Sequence, residues 1–409
     1  MNLSEYFAGS IAVLNKGGEA LRQLGIDGPS LEADDLIRVA RHRSGLVDLG
    51  AWPIDEPLGR LLDAYRSEAK LTTVGRLTAR EMFVGLLQNL LHMESERSRH
   101  PEVEDESIRA PVFIASLPRT GTTFLHNLMT EDPATRVPLT WEVTCPTEFP
   151  NNPVGHELAR RHTANRLRWA NRLIPEFKRI HAIDADLPQE CVAITAPVFM
   201  SIQFFTTHNV PSYQDWFERD SQELTYRFHR RMLQHLQFRQ PGNRWLLKAP
   251  AHLFSPAALL RQYPDAKLIQ THRDPVRAMT SMASHATVLR RAFSDDADPR
   301  QIAADWLERW ARALDDFLEF RDRHPDVPVL DVDYDAFVAA PEATVERIYD
   351  WLGWPLTPEA EAAMRAYVAA NPRNKHGKHR YSVDEYGLDR AALERRFAAY
   401  CDRFGVGTA

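Results

Sequence analysis

The chain has 409 residues, 44% of them hydrophobic and 26% charged, with a formal net charge of −6. This is the composition of a globular protein able to bury a large core, and its acidic balance argues against nucleic acid as a partner. Its three cysteines, Cys145, Cys191 and Cys401, are too widely spaced for a disulfide framework or a cysteine metal cluster.

Residues 1–107 read as a helical extension that ends in a charged linker. Between Ala79 and Met93, the residues Met82, Phe83, Leu86, Leu87, Leu90 and Leu91 fall on one helical face. The charged run from Glu94 to Arg109, broken by Pro101, reads as a solvated connection. No stretch reaches the length of a transmembrane helix, and the N-terminus lacks a basic region followed by a long apolar core. A reducing cytoplasm is therefore the expected location.

From residue 108 onward the pattern alternates strand and helix, which predicts an α/β domain with a central parallel sheet and helices on both faces. Val112 to Ala115 has the character of a buried strand, and it breaks at Ser116-Leu-Pro-Arg-Thr-Gly121. Phe124, Leu125, Leu128 and Met129 then give a helical stripe. Strand, tight loop and helix N-terminus together make an anion cradle, because unpaired N–H groups and the positive end of the helix dipole converge there. Arg119 adds a cation, and Thr120, Thr122 and Thr123 add hydroxyls. A nucleoside-triphosphate loop would carry Gly-Lys at its end, whereas here Thr122 follows Gly121.

The segment Pro118-Arg-Thr-Gly-Thr-Thr123 instead resembles the 5′-phosphosulfate loop of the sulfotransferases that use 3′-phosphoadenosine 5′-phosphosulfate (PAPS). Cytosolic members of that family carry Lys-x-Gly-Thr-Thr, and the arginine variant is similar to the bacterial and Golgi-type branches. A second match is Lys267-Leu-Ile-Gln-Thr-His-Arg-Asp-Pro275, a strand running into a helix opened by Asp-Pro. Arg273 at the strand end and Ser281 eight residues later resemble the family's 3′-phosphate site. Arg244-Trp-Leu-Leu-Lys-Ala-Pro-Ala-His-Leu253 resembles the family's central strand. Val332-Asp-Tyr-Asp-Ala-Phe-Val338, followed by the helix from Pro341, resembles a further strand end and helix. Lys375-His-Gly-Lys-His-Arg-Tyr381 resembles a C-terminal loop that lies over the nucleotide in many bacterial members, with His379 and Tyr381 as the implied contacts beside Lys375, Lys378 and Arg380. These matches run in the family's order from about residue 110 to 390.

The resemblance implies the P-loop-like sulfotransferase fold, with residues 108–409 as one α/β domain and a helical acceptor-binding insertion at about 150–240. Aromatics concentrate in that insertion, at Phe199, Phe204, Phe205, Tyr213, Trp216 and Phe217, and read either as an acceptor lid or as plain core. It also implies PAPS as donor, adenosine 3′,5′-bisphosphate as product, no metal, and a small-molecule, lipid or glycan acceptor; the long helices leave room for a homodimer. Sulfuryl transfer needs cations and N–H donors on the developing charge, for which Arg119, Lys248 and the loop amides are the candidates. The proton acceptor is open. Cytosolic members use a histidine, but here Pro250 holds its aligned place and His252 is displaced by two. Golgi-type members use a glutamate, and Glu190 after Pro188 is the rival, with His181 a third candidate. A P-loop kinase or nucleotide hydrolase, and a relative that binds nucleotide without catalysis, are the alternative readings.

Overall fold

Short, largely apolar runs form the sheet, as the sequence predicts. In a computed structural model that describes residues 3–25, 28–173, 183–242, 244–372 and 383–407, the strands are β1 (Val112–Ile114), β2 (Leu246–Lys248), β3 (Lys267–His272) and β4 (Val329–Asp333). All pairings are parallel, in the order β2-β1-β3-β4. The strand at Leu246–Lys248, expected at the centre, therefore lies at one edge of the sheet.

Alternation along the strands divides the core. Val112, Ile114, Leu246, Ile269 and Val332 enter one apolar cluster with Leu125, Leu128 and Ile348 from the helices Thr122–Thr130 and Pro341–Leu352. Phe113, Ala115, Leu247 and Leu268 enter a larger cluster with Met279 and Trp306 from the helices Pro275–Arg291 and Pro299–Arg323. Successive strand residues point to opposite faces, so both faces of the sheet are covered by helix.

The N-terminal helices share the larger cluster. Phe83, Leu87, Leu90 and Leu91 of the helix Thr73–Arg99 are buried in it, on the face their spacing predicts. The run from Glu94 begins as partly buried helix rather than the solvated linker expected from its charge, and most of it is exposed from Ser98 onward. The helix continues to Arg99, and a 3-10 turn follows at Pro101–Asp105 with Val103 fully buried. Each buried carboxylate has partners that make this possible. Glu94 accepts from Trp52 Nε1 at 2.9 Å and from Arg97 at 2.8 Å. Glu96 faces His235 at 3.3 Å and Arg239 at 3.6 Å. Buried charges are tolerated when paired in this way.

The aromatic group resolves as core. Phe199, Phe204, Phe205, Tyr213 and Phe217 are buried in the larger cluster, and Trp216 is packed at its edge beneath Arg60. Among the described residues no helix is long and apolar enough to cross a membrane.

Candidate active site

A cleft of about 390 Å³ opens where all four strands end. Pro118 to Thr123 follow β1, Pro250 follows β2, Arg273 follows β3 and Tyr334 follows β4, so the cleft sits at the C-terminal edge of the sheet, where ligands of open α/β folds bind.

The loop after β1 has the conformation its residues predict. Gly121 has φ of +87° and sits at the N-cap of the helix Thr122–Thr130, with no capping side chain. A Cβ on Gly121 would lie 2.8 Å from Tyr334 Cδ2, so glycine is required twice over, by conformation and by close approach. Arg119 also adopts a left-handed backbone, with φ of +69°. Such a conformation is unfavourable for a residue with a Cβ and persists only where its surroundings enforce it.

Two of those surroundings are the residues matched to the 3′-phosphate site. Arg273 Nη1 donates to the Arg119 carbonyl at 2.7 Å, and Arg119 Nε donates to Ser281 Oγ at 3.0 Å. The Arg273 guanidinium lies 4.3 Å from the centre of the Tyr334 ring, which fixes its orientation. Asp274 caps the helix Pro275–Arg291 by accepting from Val276 N at 2.8 Å, and this fixes the start of the helix that carries Ser281 to Arg119. Residues far apart in sequence thus form one basic and hydroxyl-rich wall.

The threonines divide by role. Thr122 and Thr123 line the cleft. Thr120 does not present its hydroxyl as expected: it is fully buried, donates to the Leu117 carbonyl at 2.7 Å and meets Thr271 Oγ1 at 2.7 Å. It ties the loop to β3.

Lys248, the last residue of β2, is buried beside this loop. Its ammonium pairs with Glu190 and reaches Thr123 Oγ1 at 3.3 Å. Glu190 is placed there by a run of backbone bonds: Thr140 N to the Leu187 carbonyl at 3.0 Å, Trp141 N to the Ala185 carbonyl at 2.9 Å, and Gln189 N to the Pro138 carbonyl at 2.7 Å. Although Glu190 occupies the N-cap of the short helix Cys191–Ile194, its side chain does not cap that helix. It turns to Lys248, and it lines the cleft.

His252 goes elsewhere. It sits in the 3-10 turn Pro250–Leu253, 3% exposed, with Nδ1 2.9 Å from the Tyr226 hydroxyl and its ring edge-on to Phe113 at 5.0 Å. Phe113 belongs to the larger apolar cluster, so His252 points into the core and is not among the cleft residues. Burial, reinforced by the neighbouring His229, holds its pKa well below the ordinary histidine value. His126, on the loop helix, is also kept neutral: burial, with the Lys248 charge adding to it, lowers its pKa to about 3. Its Nε2 meets the Leu246 carbonyl at 3.2 Å.

Several cleft residues escape the sequence reading. Tyr334 is the first residue after β4, and the rule that ligands bind at strand ends points to it. Met282, His285 and Leu289 line the cleft from the helix that carries Ser281, and their spacing of three and four is the signal that puts them on one face. The lining also includes the apolar residues Val192, Ile202, Leu289 and Trp310, beside Gln203, Thr206 and Thr207. The insertion therefore contributes to the cleft through residues between its aromatics. His181, Lys375, Lys378, His379, Arg380 and Tyr381 lie outside the described residues.

Outside the cleft lining, Cys145, Glu148 and His162 bring potential ligand atoms within 4.8 Å of one another, a group the sequence spacing does not reveal. Burial pushes the Cys145 thiol up to about 12, which opposes the thiolate that a metal would need.

The sequence profile described as "Sulfotransferase family" matches residues 111–358. The omega-hydroxy-beta-dihydromenaquinone-9 sulfotransferases Stf3 of Mycobacterium bovis and Mycobacterium tuberculosis are each 24% identical over 313 residues, covering 72% of this chain and 75% of theirs. The crystal structure of sulfotransferase STF1 from Mycobacterium tuberculosis H37Rv superposes with a TM-score of 0.79 at 34% identity, covering 90% of this chain and 98% of that one. That of STF9 from Mycobacterium avium gives 0.81 at 28% identity, covering 92% and 98%. Profile, relatives and fold agree with the loop that lacks a Gly-Lys pair, and they set aside the kinase reading: the chain belongs to the sulfotransferase family and is an enzyme of sulfuryl transfer.

Proposed function

We propose that this sulfotransferase takes its sulfuryl group from PAPS and passes it to a hydroxyl on an apolar, lipid-like acceptor. One observation carries the donor reading: Arg273, Arg119 and Ser281 are joined by direct hydrogen bonds, so the loop that suits a 5′-phosphosulfate and the pair that suits a 3′-phosphate form one wall. A nucleotide with phosphates at both positions answers both halves. Arginine offers a phosphate monoester a charge-assisted contact that can be bidentate, and serine a hydroxyl bond.

The remaining roles follow from position. The amides of Gly121, Thr122 and Thr123 and the positive end of their helix meet the 5′ end of the donor. Lys248 and Arg119 stabilise charge that develops on the sulfuryl and leaving oxygens, so the site supplies positive charge from side chains. Glu190 accepts the proton of the acceptor hydroxyl. It lines the cleft and touches Lys248, whereas His252 is buried, bonded to Tyr226 and hard to protonate. A general base must lie within reach of the proton it removes, and Glu190 is the carboxylate that lines the cleft.

The apolar part of the lining, with Ile202, Met282, Leu289 and Trp310, supports a hydrophobic acceptor carrying one reactive hydroxyl. The name of the Stf3 relative describes such an acceptor, a hydroxylated menaquinone. The test is a thermal-shift titration with adenosine 3′,5′-bisphosphate beside AMP and magnesium–ATP. At about 100 times its dissociation constant, a ligand adds roughly 2.7 kcal/mol of stability. Selective stabilisation by the bisphosphate is expected, and a response to magnesium–ATP alone would overturn the donor reading.

A further inference from the structure

We propose that the helices Leu3–Gln23 and Pro153–Leu173 form a docking face for an anionic lipid bilayer. Among its described side chains, from Ile11 onward, the N-terminal helix is attached by polar groups and turns apolar groups outward. Asn15 Oδ1 accepts from Val74 N at 2.9 Å, and Arg22 Nη1 donates to the Leu71 carbonyl at 2.9 Å. Meanwhile Val13, Leu14 and Leu21 are 70%, 57% and 47% exposed, and Leu24 just beyond the helix is 76% exposed. Their spacing puts them on one stripe. A helix on a globular surface ordinarily shows the reverse arrangement.

The second helix touches the first and has the composition of an interfacial helix. It carries five arginines against one glutamate, in a chain whose overall charge is −6. Val154, Leu158 and Trp169 are exposed on it at 71%, 43% and 57%. Arg161, Arg168 and Arg172 fall among them on the exposed side. Arg161 pairs with Glu157 at 2.7 Å, and the Arg172 guanidinium lies 5.2 Å from the Trp169 ring centre. An indole at the surface with arginines around it suits the headgroup region: the ring takes the apolar boundary and the guanidinium groups reach the phosphates.

Charge selects the occupant. A second copy docked by this face about a twofold axis would bring two faces with an excess of arginine together, which is repulsive. Anionic headgroups complement the arginines, and the acyl boundary covers the leucines. The inference rests on these exposed faces and is independent of the donor and acceptor readings.

The test is co-sedimentation of the full chain with phosphatidylcholine vesicles containing about one-third phosphatidylglycerol, beside pure phosphatidylcholine vesicles, at low and high salt. Binding to the anionic vesicles is expected, and it should weaken with salt. The double variant Arg168→Gln/Arg172→Gln should partition on the order of thirtyfold less. Leu14→Ser/Leu21→Ser should lose about tenfold or more. Both pairs lie outside the cleft, so a far-UV circular dichroism spectrum and a melting temperature unchanged from wild type serve as the control for folding. Failure of the wild type to bind anionic vesicles at low salt would overturn the proposal, as would wild-type binding by the arginine variant. A concentration-dependent dimer that Leu14→Ser disperses, without vesicle binding, would assign the face to a second copy instead.

Discussion

Replacing Arg273 by alanine separates the two halves of the donor wall. In the wild type its guanidinium is held 4.3 Å from the Tyr334 ring and donates to the Arg119 carbonyl at 2.7 Å, so it is oriented before any ligand arrives. A hydrogen bond from a charged group to phosphate contributes about 1.5–3 kcal/mol, and loss of the loop anchor costs about 1 kcal/mol more. The sum, about 2.5–4 kcal/mol, corresponds to roughly 10²- to 10³-fold weaker binding of adenosine 3′,5′-bisphosphate. AMP lacks the 3′-phosphate and feels only the loosened loop, so its affinity should fall by about fivefold. Isothermal titration of both ligands against both proteins measures the two losses, and Arg273→Lys should fall between, because lysine cannot make the planar fork. Equal losses for the two nucleotides would refute the placement of the 3′ site. So would a bisphosphate affinity within about threefold of wild type, given the size of the contact at stake.

Other consequences follow from the same geometry. Glu190→Gln keeps an acceptor beside Lys248 but cannot take a proton: steady-state turnover should fall by about 10²–10⁴ while bisphosphate affinity stays unchanged. His252→Ala, by contrast, should lower the melting temperature and leave turnover near wild type, since the ring packs on Phe113 and Tyr226; loss of turnover at unchanged stability would return His252 to the mechanism. Gly121→Ala places a Cβ at φ of +87° and 2.8 Å from Tyr334, costing about 1–2 kcal/mol for the backbone and a further 1–3 kcal/mol for overpacking. Denaturant melts and bisphosphate titration should both record it. Burial lowers the pKa of His126, His208 and His229 to about 3 each. Protons then bind the unfolded chain but not the native one between about pH 6.5 and 3, so stability is intact above that window and falls as pH drops through it, by up to about 2 kcal/mol per histidine at pH 5. Melting temperatures that stay level from neutral pH to pH 5 would contradict this.

Legibility in the sequence follows how local each signal is. The loop after β1 is readable because Pro118, Gly121 and the stripe from Phe124 encode strand, turn and helix within a few residues. Arg273 and Ser281 are readable because strand end, Asp-Pro start and helical spacing all lie in one segment. What depends on tertiary neighbours is not. Nothing near Thr120 announces that its hydroxyl turns to Thr271. The carboxylates Glu94 and Glu96 look solvated until Trp52, His235 and Arg239 arrive from distant segments. The edge position of β2 is a matter of sheet order, which local patterning does not carry. The choice between Glu190 and His252 is non-local for the same reason: it rests on Lys248 and Tyr226, residues 58 and 26 positions away.

The central claim is that the cleft joins a PAPS site to an apolar acceptor pocket. Its most direct test is to incubate the protein with PAPS carrying radiolabelled sulfur and a panel of hydroxylated lipids, including long-chain alcohols and hydroxylated isoprenoid quinones. Label in a lipid product and released adenosine 3′,5′-bisphosphate should appear in equal amounts, and both should be lost in Glu190→Gln. Bisphosphate release without a labelled product, or label confined to polar acceptors such as glycans, would contradict the account.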